Sequence, residues 1–541
     1  MPDRPMILPF RYALALLAAA PSALAQLPPP PVPPENPITE EKRILGKLLF
    51  WEEQLSSDDT IACATCHIPQ AGGSDPRTAR HPGPDSIFFN DDDKLGSPGV
   101  ADMDGVGDYE PNADFGFGTQ VTARASQSFL MGAYAPDGFW DGRATSEFID
   151  PQTGLVSIPV GGSLESQAVG PPLSDVEMAH SGHDWNMLTA KLARVTPMAL
   201  ASNLPPDMAT IMSGNPSYGD LFQSAFGDAA ITAERIAYAI ATYERTLIPD
   251  QTPWDLFMAG NQNALTSDQQ MGWMMFQGAG PNCVACHVPP EFTDHSFRTI
   301  GLRPPSEDMG RADVTGNNGD RGSFKVPSLR NAALKPTHFH NGGLLDSPVN
   351  NMRDVVEFYA RTDGHKQFKD NQDPIIPAIF IPPMAINFLQ DFLENGLTDP
   401  RVANETFPFD RPTLASEVRK GHLEVIAGTG TPGSGGVIPQ VIALTPATVG
   451  SQSFLLGLHD APSGAQAFVQ ISSSVPGGSA QGLRRVWFPV GLQSGGYGTW
   501  HWDVPGDPNL AGVTLFAQWH VLDHGAQGHR SRSDVVRFKV L

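Results

Sequence analysis

Only four of the 541 residues are cysteine. That scarcity excludes a disulfide-built scaffold, which spreads many cysteines through a short chain. Basic residues are also few. Lys and Arg number 35 against 58 Asp and Glu, a formal net charge of −23. Nucleic acid and anionic membrane surfaces are therefore excluded as expected partners, while a basic protein would be attracted. Long apolar runs are missing as well. The run from Tyr12 to Ala20 is too short to span a bilayer, and no later stretch would span one, so no transmembrane segment is expected. What the composition does supply is 40% hydrophobic residues, enough for real cores. The length suggests roughly three or four domains.

All four cysteines fall in two copies of one short string, Cys63-Ala-Thr-Cys66-His67 and Cys283-Val-Ala-Cys286-His287. This is the covalent attachment sequence for a c-type haem. The two thiols add across the haem vinyl groups, and the adjacent histidine is held under the ring to ligate iron. The competing readings are a Cys-x-x-Cys disulfide and a zinc site. A redox disulfide has no need of the following histidine. Zinc would crowd two cysteines and one histidine into each string and leave its other ligands unidentified. Use of every cysteine in two matching strings points to two covalently bound haem c groups. Cys63, Cys66, Cys283 and Cys286 are the attachment points, and His67 and His287 are the metal ligands.

Residues 1–25 read as a secretory signal. Arg4 and Arg11 give the positive start, and Ala23-Leu24-Ala25 gives a small-x-small cleavage site. Export suits the two strings, because c-type haem is attached outside the cytoplasm in bacteria. The expected location is the periplasm. Residues 26–37 are a proline-rich linker, expected to be an extended tether.

The expected fold is mainly α: two cytochrome c-like haem domains, over residues 38–250 and 251–410, followed by a β-rich module over 411–541. Thr39 is placed to cap a helix with Glu40 and Glu41 in its first turn, and Ile44, Leu45, Leu48 and Leu49 form an apolar stripe. A second helix opens at Thr266 with Gln269 set for a capping box. Gly46-Lys-Leu-Leu-Phe50 precedes the first haem string and Gly272-Trp-Met-Met-Phe276 the second, a weak internal repeat. Further helices are expected over 184–195, 233–246, 352–359 and 385–394. Between the strings lies a glycine- and acid-rich stretch with Asp91-Asp-Asp93 and Asp102-Met-Asp104-Gly-Val-Gly-Asp108. Alternating carboxylates and glycines wrap calcium in short loops. The full twelve-residue pattern is missing, and a solvated acidic loop is the other reading. From residue 437 onward, β-type runs at 440–444, 467–471, 485–489, 513–517 and 535–540 are separated by Gly, Pro and Ser, the signature of a small sandwich. No cysteine or catalytic cluster falls there, so it reads as an accessory module.

Eight ordered strings resemble one family. They include Leu45-Gly-Lys-Leu-Leu-Phe50, Phe139-Trp-Asp-Gly-Arg-Ala144, Gln167-Ala168, Glu177-Met178, Ala239-Ile-Ala-Thr-Tyr-Glu-Arg-Thr-Leu247 and Ser328-Leu-Arg-Asn331 around the two haem strings. The chain from about Ile38 to Leu397 is similar to the bacterial di-haem cytochrome c peroxidases, including the MauG branch. The likeness does not extend to the β module. It implies a periplasmic peroxidase that reduces hydrogen peroxide at the N-terminal haem. Electrons would come from a small donor protein, a cytochrome c or cupredoxin, through the second haem. By motif, His67 is the proximal ligand of the reactive haem, Gln167 and Glu177 line its distal side, and Trp140 lies between the haems. Read alone, Glu177 is a surface carboxylate and Trp140 a packed core aromatic.

Three departures from the family pattern set the subtype. The sixth ligand of the second haem falls at Tyr359, as in the MauG branch, where the ordinary peroxidases have methionine; Met352 and Met384 are the other candidates. A MauG-like oxidase that modifies residues of a partner protein is therefore the alternative function. A non-catalytic di-haem electron-transfer cytochrome is the alternative of another class. His81, fourteen residues after His67, stands where a removable ligand closes the resting site in peroxidases that need activation. If it does not bind iron, the site is open. The calcium-binding asparagine of the family is replaced by Ala125, with Lys335 and Thr337 at the positions of the carbonyl ligands.

Overall fold

The computed structural model describes residues 26–83, 87, 93–343, 349–360, 368–476 and 485–541. The leader expected over residues 1–25 lies outside the described residues, as do Asp91 and Asp92.

The Glu40–Phe50 helix begins where the Thr39 hydroxyl accepts a hydrogen bond from the Lys42 amide at 3.3 Å, with Glu40 and Glu41 against the positive end of the helix. Leu45, Leu48 and Leu49 are buried against the Ala233–Glu244 helix. Gly46 sits at the crossing. A Cβ built there would lie 1.8 Å from the Ala239 carbonyl oxygen. The second copy repeats this device. The Ser267–Phe276 helix is capped by reciprocal bonds between Thr266 and Gln269, of 3.0 and 3.2 Å. It packs on the Pro383–Asp391 helix, where a Cβ at Gly272 would lie 2.1 Å from the Phe388 carbonyl oxygen. The faint repeat in the sequence is thus a repeat of backbone-to-backbone packing.

Buried apolar side chains form three clusters. Phe50, Phe129 and Ile240 belong to the first, around the first haem string. Trp254, Phe276, Phe292 and Phe392 belong to the second, around the other string. The third fills the C-terminal part. The first cluster also takes in Val402, Phe409 and Leu414, so the chain returns to it after leaving the second. The buried Lys47 ammonium fastens that return by donating to Asp410 at 2.8 Å and Asp207 at 3.1 Å.

The C-terminal part is two antiparallel sheets face to face. One runs in the order Leu423–Ile426, Val535–Lys539, Thr514–Leu522, Gln466–Ser472 and Arg485–Gly491, with Arg530–Arg532 paired to Thr514–Leu522. The other comprises Gln440–Ile442, Phe454–His459 and Gly498–Trp502. Leu456, Leu458 and Trp500 from the small sheet meet Val469, Trp519 and Phe538 from the large one. The five expected strands are present, and four others went unread. Phe454–His459 shows why: five consecutive residues of it are buried, so no alternation marks it.

This sandwich packs on the acidic stretch. The Tyr109 amide donates to Thr499 Oγ1 at 2.8 Å, Asp108 meets His501 Nε2 at 2.6 Å, and Phe117 stacks on the His459 ring at 4.8 Å. Asp104 Oδ1 accepts from the amides of Val106 and Asp108. The carboxylates of Asp104 and Asp108 are therefore engaged within the protein. Among the described residues, no three His, Cys, Asp or Glu side chains gather as a metal site, and no helix is long and apolar enough to cross a membrane.

Candidate active site

Each haem string lies beside a cavity. The first cavity, about 1190 Å³, is lined by Cys63, Cys66 and His67 on one side and by Gln167, Phe139 and Glu177 among others. The second, about 210 Å³, is lined by Cys283, Cys286, His287, Met352 and Tyr359 among others. Trp140 lines both.

The two histidines are oriented alike. His67 Nδ1 lies 3.1 Å from the Gly73 carbonyl oxygen, and His287 Nδ1 lies 3.1 Å from that of Phe292. A carbonyl only accepts, so Nδ1 carries the hydrogen and Nε2 keeps the lone pair that a metal needs. Burial lowers the pKa of both rings, which keeps them neutral. Burial also pushes the thiols of Cys63 and Cys283 up to about 12, so they are held as thiols, the form that adds across a vinyl group. All four cysteines are free of disulfides. The donor set and its orientation fit two covalently attached haems.

Gln167 is carried by the Ser163–Ala168 helix. That helix is fixed from behind by a buried fork, in which Arg245 donates to Glu165 at 2.6 and 2.8 Å. The Asn36 side chain donates to the same carboxylate at 2.8 Å. Glu177 sits in a turn whose amide donates to the Ser174 carbonyl at 3.1 Å. Burial raises its pKa, and Arg143 partly opposes the shift.

Trp140 is 6% exposed, and its indole N–H donates to the Ala125 carbonyl at 2.9 Å. The Lys335 ammonium stands 5.4 Å from the centre of its ring. Tyr359, on the Met352–Ala360 helix, lines the second cavity, and burial raises its phenol pKa. Met352 lines that cavity too, whereas Met384 is 71% exposed and is not among its lining residues.

His81 ends the Ala79–His81 strand. Its neighbour Arg80 and the facing Lys94 line the first cavity, but His81 does not. His81 Nδ1 instead accepts from the Gly83 amide at 3.2 Å, and the ring meets Phe115 edge-on at 4.7 Å. Two cavity residues have ionisable side chains for which nothing in the sequence suggested a role. Glu244 lines the first cavity with its Oε2 buried and without a hydrogen-bond partner, and burial pushes its carboxyl up to about 8. Lys335 lines the second. Glu244 stood in a string that marked the family likeness; nothing in sequence distinguished it from the neighbouring Arg245.

Residues 40–263 match the family model described as di-haem cytochrome c peroxidase. The chain is 30% identical over 332 residues to the methylamine utilization protein MauG of Methylophilus methylotrophus, an overlap of 61% of this chain and 75% of that one. It is 30% identical over 317 residues to MauG of Methylorubrum extorquens, covering 58% and 68%. It is 28% identical over 367 residues to cytochrome c551 peroxidase of Nitrosomonas europaea, covering 67% and 86%. With both attachment strings facing cavities that share one tryptophan, this chain belongs to the di-haem cytochrome c peroxidase family and carries two covalently bound haem c groups.

Proposed function

We propose that this protein is a periplasmic peroxidase that reduces hydrogen peroxide in the first cavity, with electrons entering through the second. The reading is carried by one observation: the raised-pKa carboxyl of Glu177 and the amide of Gln167 line the same cavity as His67. Bound there, haem iron supplies the electrons that break the O–O bond. The balance is one hydrogen peroxide, two electrons and two protons to two waters.

Glu177 takes the proton from one oxygen of the peroxide and returns it to the other as the bond breaks. A carboxyl whose pKa is raised by burial holds a proton more readily than an ordinary carboxylate, which suits a group that takes up and returns one. Gln167 offers an amide to hold the peroxide in place. Trp140 lines both cavities and offers an oxidisable ring between them. His81 is directed to Gly83 and Phe115, which supports a first site open to peroxide at rest. The net charge of −23 suits a small basic electron donor, a cytochrome c or cupredoxin. We place the haem domains at 38–250 and 251–410 and the accessory module at 411–541.

Tyr359 supports a second reading, a MauG-like oxidase that modifies residues of a partner protein. A phenolate on the second iron stabilises its oxidised state, where a thioether does the reverse.

Turnover of peroxide with a reduced cytochrome c, compared between the wild type and Glu177→Gln, tests the first reading. The variant is expected to keep two haems and lose about 100-fold or more in turnover. Full activity in the variant would remove Glu177 from the acid–base role. Resting EPR is expected to show one high-spin haem; two low-spin signals would favour a pure electron carrier.

A further inference from the structure

We infer that Lys335 and His338 form a carboxylate-binding site where the two cavities meet, and that its ligand is a propionate of the haem attached at Cys283 and Cys286. The inference rests on the assignment of that haem to the second cavity.

Among the described residues, four cationic side chains line the second cavity: Arg298, Lys325, Arg330 and Lys335. Three have oxygen partners. Arg298 is paired with Asp294 at 2.8 Å and Asp373 at 2.7 Å. Arg330 donates to Asp255 at 2.7 and 2.8 Å. Lys325 Nζ donates to the Asp137 carbonyl at 2.8 Å. Lys335 is 8% exposed, and among the described residues its ammonium has neither a hydrogen bond nor an ion pair. Its contact is the face of Trp140. Burying a cation without an anion is unfavourable, because the hydration it loses is not replaced. Burial lowers its pKa to about 8, which leaves the ammonium largely charged at neutral pH.

His338 is the second orphan. It lines the same cavity, is 5% exposed, and its Nε2 is buried without a hydrogen-bond partner. Burial and the charge of Lys335 depress its pKa to about 3, so it is a neutral ring able to donate one hydrogen. One cation and one neutral donor facing one cavity fit a single carboxylate. Haem c brings two carboxylates, and the other described cations of the cavity already have oxygen partners. The stem of Lys335 is held in place by Gly72, where a Cβ would lie 2.9 Å from Lys335 Cγ. Lys335 is therefore a positioning residue for the cofactor, set beside the indole that both cavities share.

The test is a redox titration of the holoprotein and of Lys335→Met and Lys335→Arg, after haem counting by mass spectrometry. Lys335→Met is expected to keep two haems and to shift the second haem to a more negative potential than the first, because a positive charge beside the reducible centre is lost. Lys335→Arg is expected to restore the wild-type value. Two haems with unchanged potentials, or a shift confined to the first haem, overturns the proposal while leaving the di-haem assignment intact. Should Lys335→Met not load haem, resonance Raman of the wild type decides. The propionate-bending band of the second haem is expected to move on exchange into D2O, and a band that stays fixed overturns the proposal.

Discussion

The Trp140 indole N–H donates to the Ala125 carbonyl at 2.9 Å, and that one bond fixes the ring that both cavities share. The Lys325 amide donates to the Trp140 carbonyl at 2.8 Å, so the same residue is tied to segments before and after the second haem string. The indole is held by one bond and the backbone that carries it by the other.

Trp140→Phe removes the oxidisable ring and leaves the Ala125 carbonyl without its donor, at a cost of about 1–3 kcal/mol. Peroxide turnover is expected to fall on the order of tenfold or more, equivalent to about 1.4 kcal/mol of barrier. Stopped-flow oxidation of the second haem by peroxide measures it directly. An unchanged rate in the variant would exclude Trp140 from the path.

Tyr359→Met exchanges a phenol for a thioether in the cavity that His287 also lines. The second haem is expected to shift to a more positive potential by on the order of 0.1 V, within the roughly 0.8 V that axial ligands command. Spectroelectrochemistry reads the shift. If the potential does not move, Tyr359 is a packing residue.

Gly46→Ala and Gly272→Ala each force a Cβ into a carbonyl on the facing helix, at 1.8 and 2.1 Å. Each is expected to cost about 1–3 kcal/mol, seen as a lower Tm in calorimetry. Gly491→Ala is the control: nothing lies within 4 Å of its built Cβ, and it is expected to be near neutral.

Glu244 gives the protein a stability that depends on pH. Its folded-state carboxyl is pushed up to about 8 by burial, while the unfolded group ionises in the ordinary carboxylate range. Between those values the folded state holds a proton that the unfolded state has released. Stability is therefore greatest at acid pH and falls as pH rises toward 8, by up to about 1.4 kcal/mol per pH unit for such a group. Glu53, also pushed up to about 8, adds a slope of the same sign. Glu244→Gln is expected to reduce the loss of Tm between pH 5 and pH 8 without abolishing it. A variant with the wild-type slope would show that Glu244 is ionised in the folded protein.

The attachment strings, the capped helices and the family likeness were legible in sequence because each is local. A thiol pair with an adjacent histidine, or a threonine three residues before a glutamine, carries its meaning within one turn of chain. The placement of Gln167, Glu177, Trp140 and Tyr359 on cavity walls was expected from the likeness alone; nothing local in their surroundings separates them from core or surface residues. The acidic stretch has a contact that nothing local announces: Asp108 is directed to His501, 393 positions away.

By itself the sequence determined where two haems are tethered and that the chain carries a β module with no thiol chemistry. Only the tertiary structure decided that one tryptophan serves both cavities, that His81 turns away from the first, and that Lys335 is a buried cation without an anion. These are statements about desolvation and distance between segments remote in the chain, and both quantities exist only after the segments have packed.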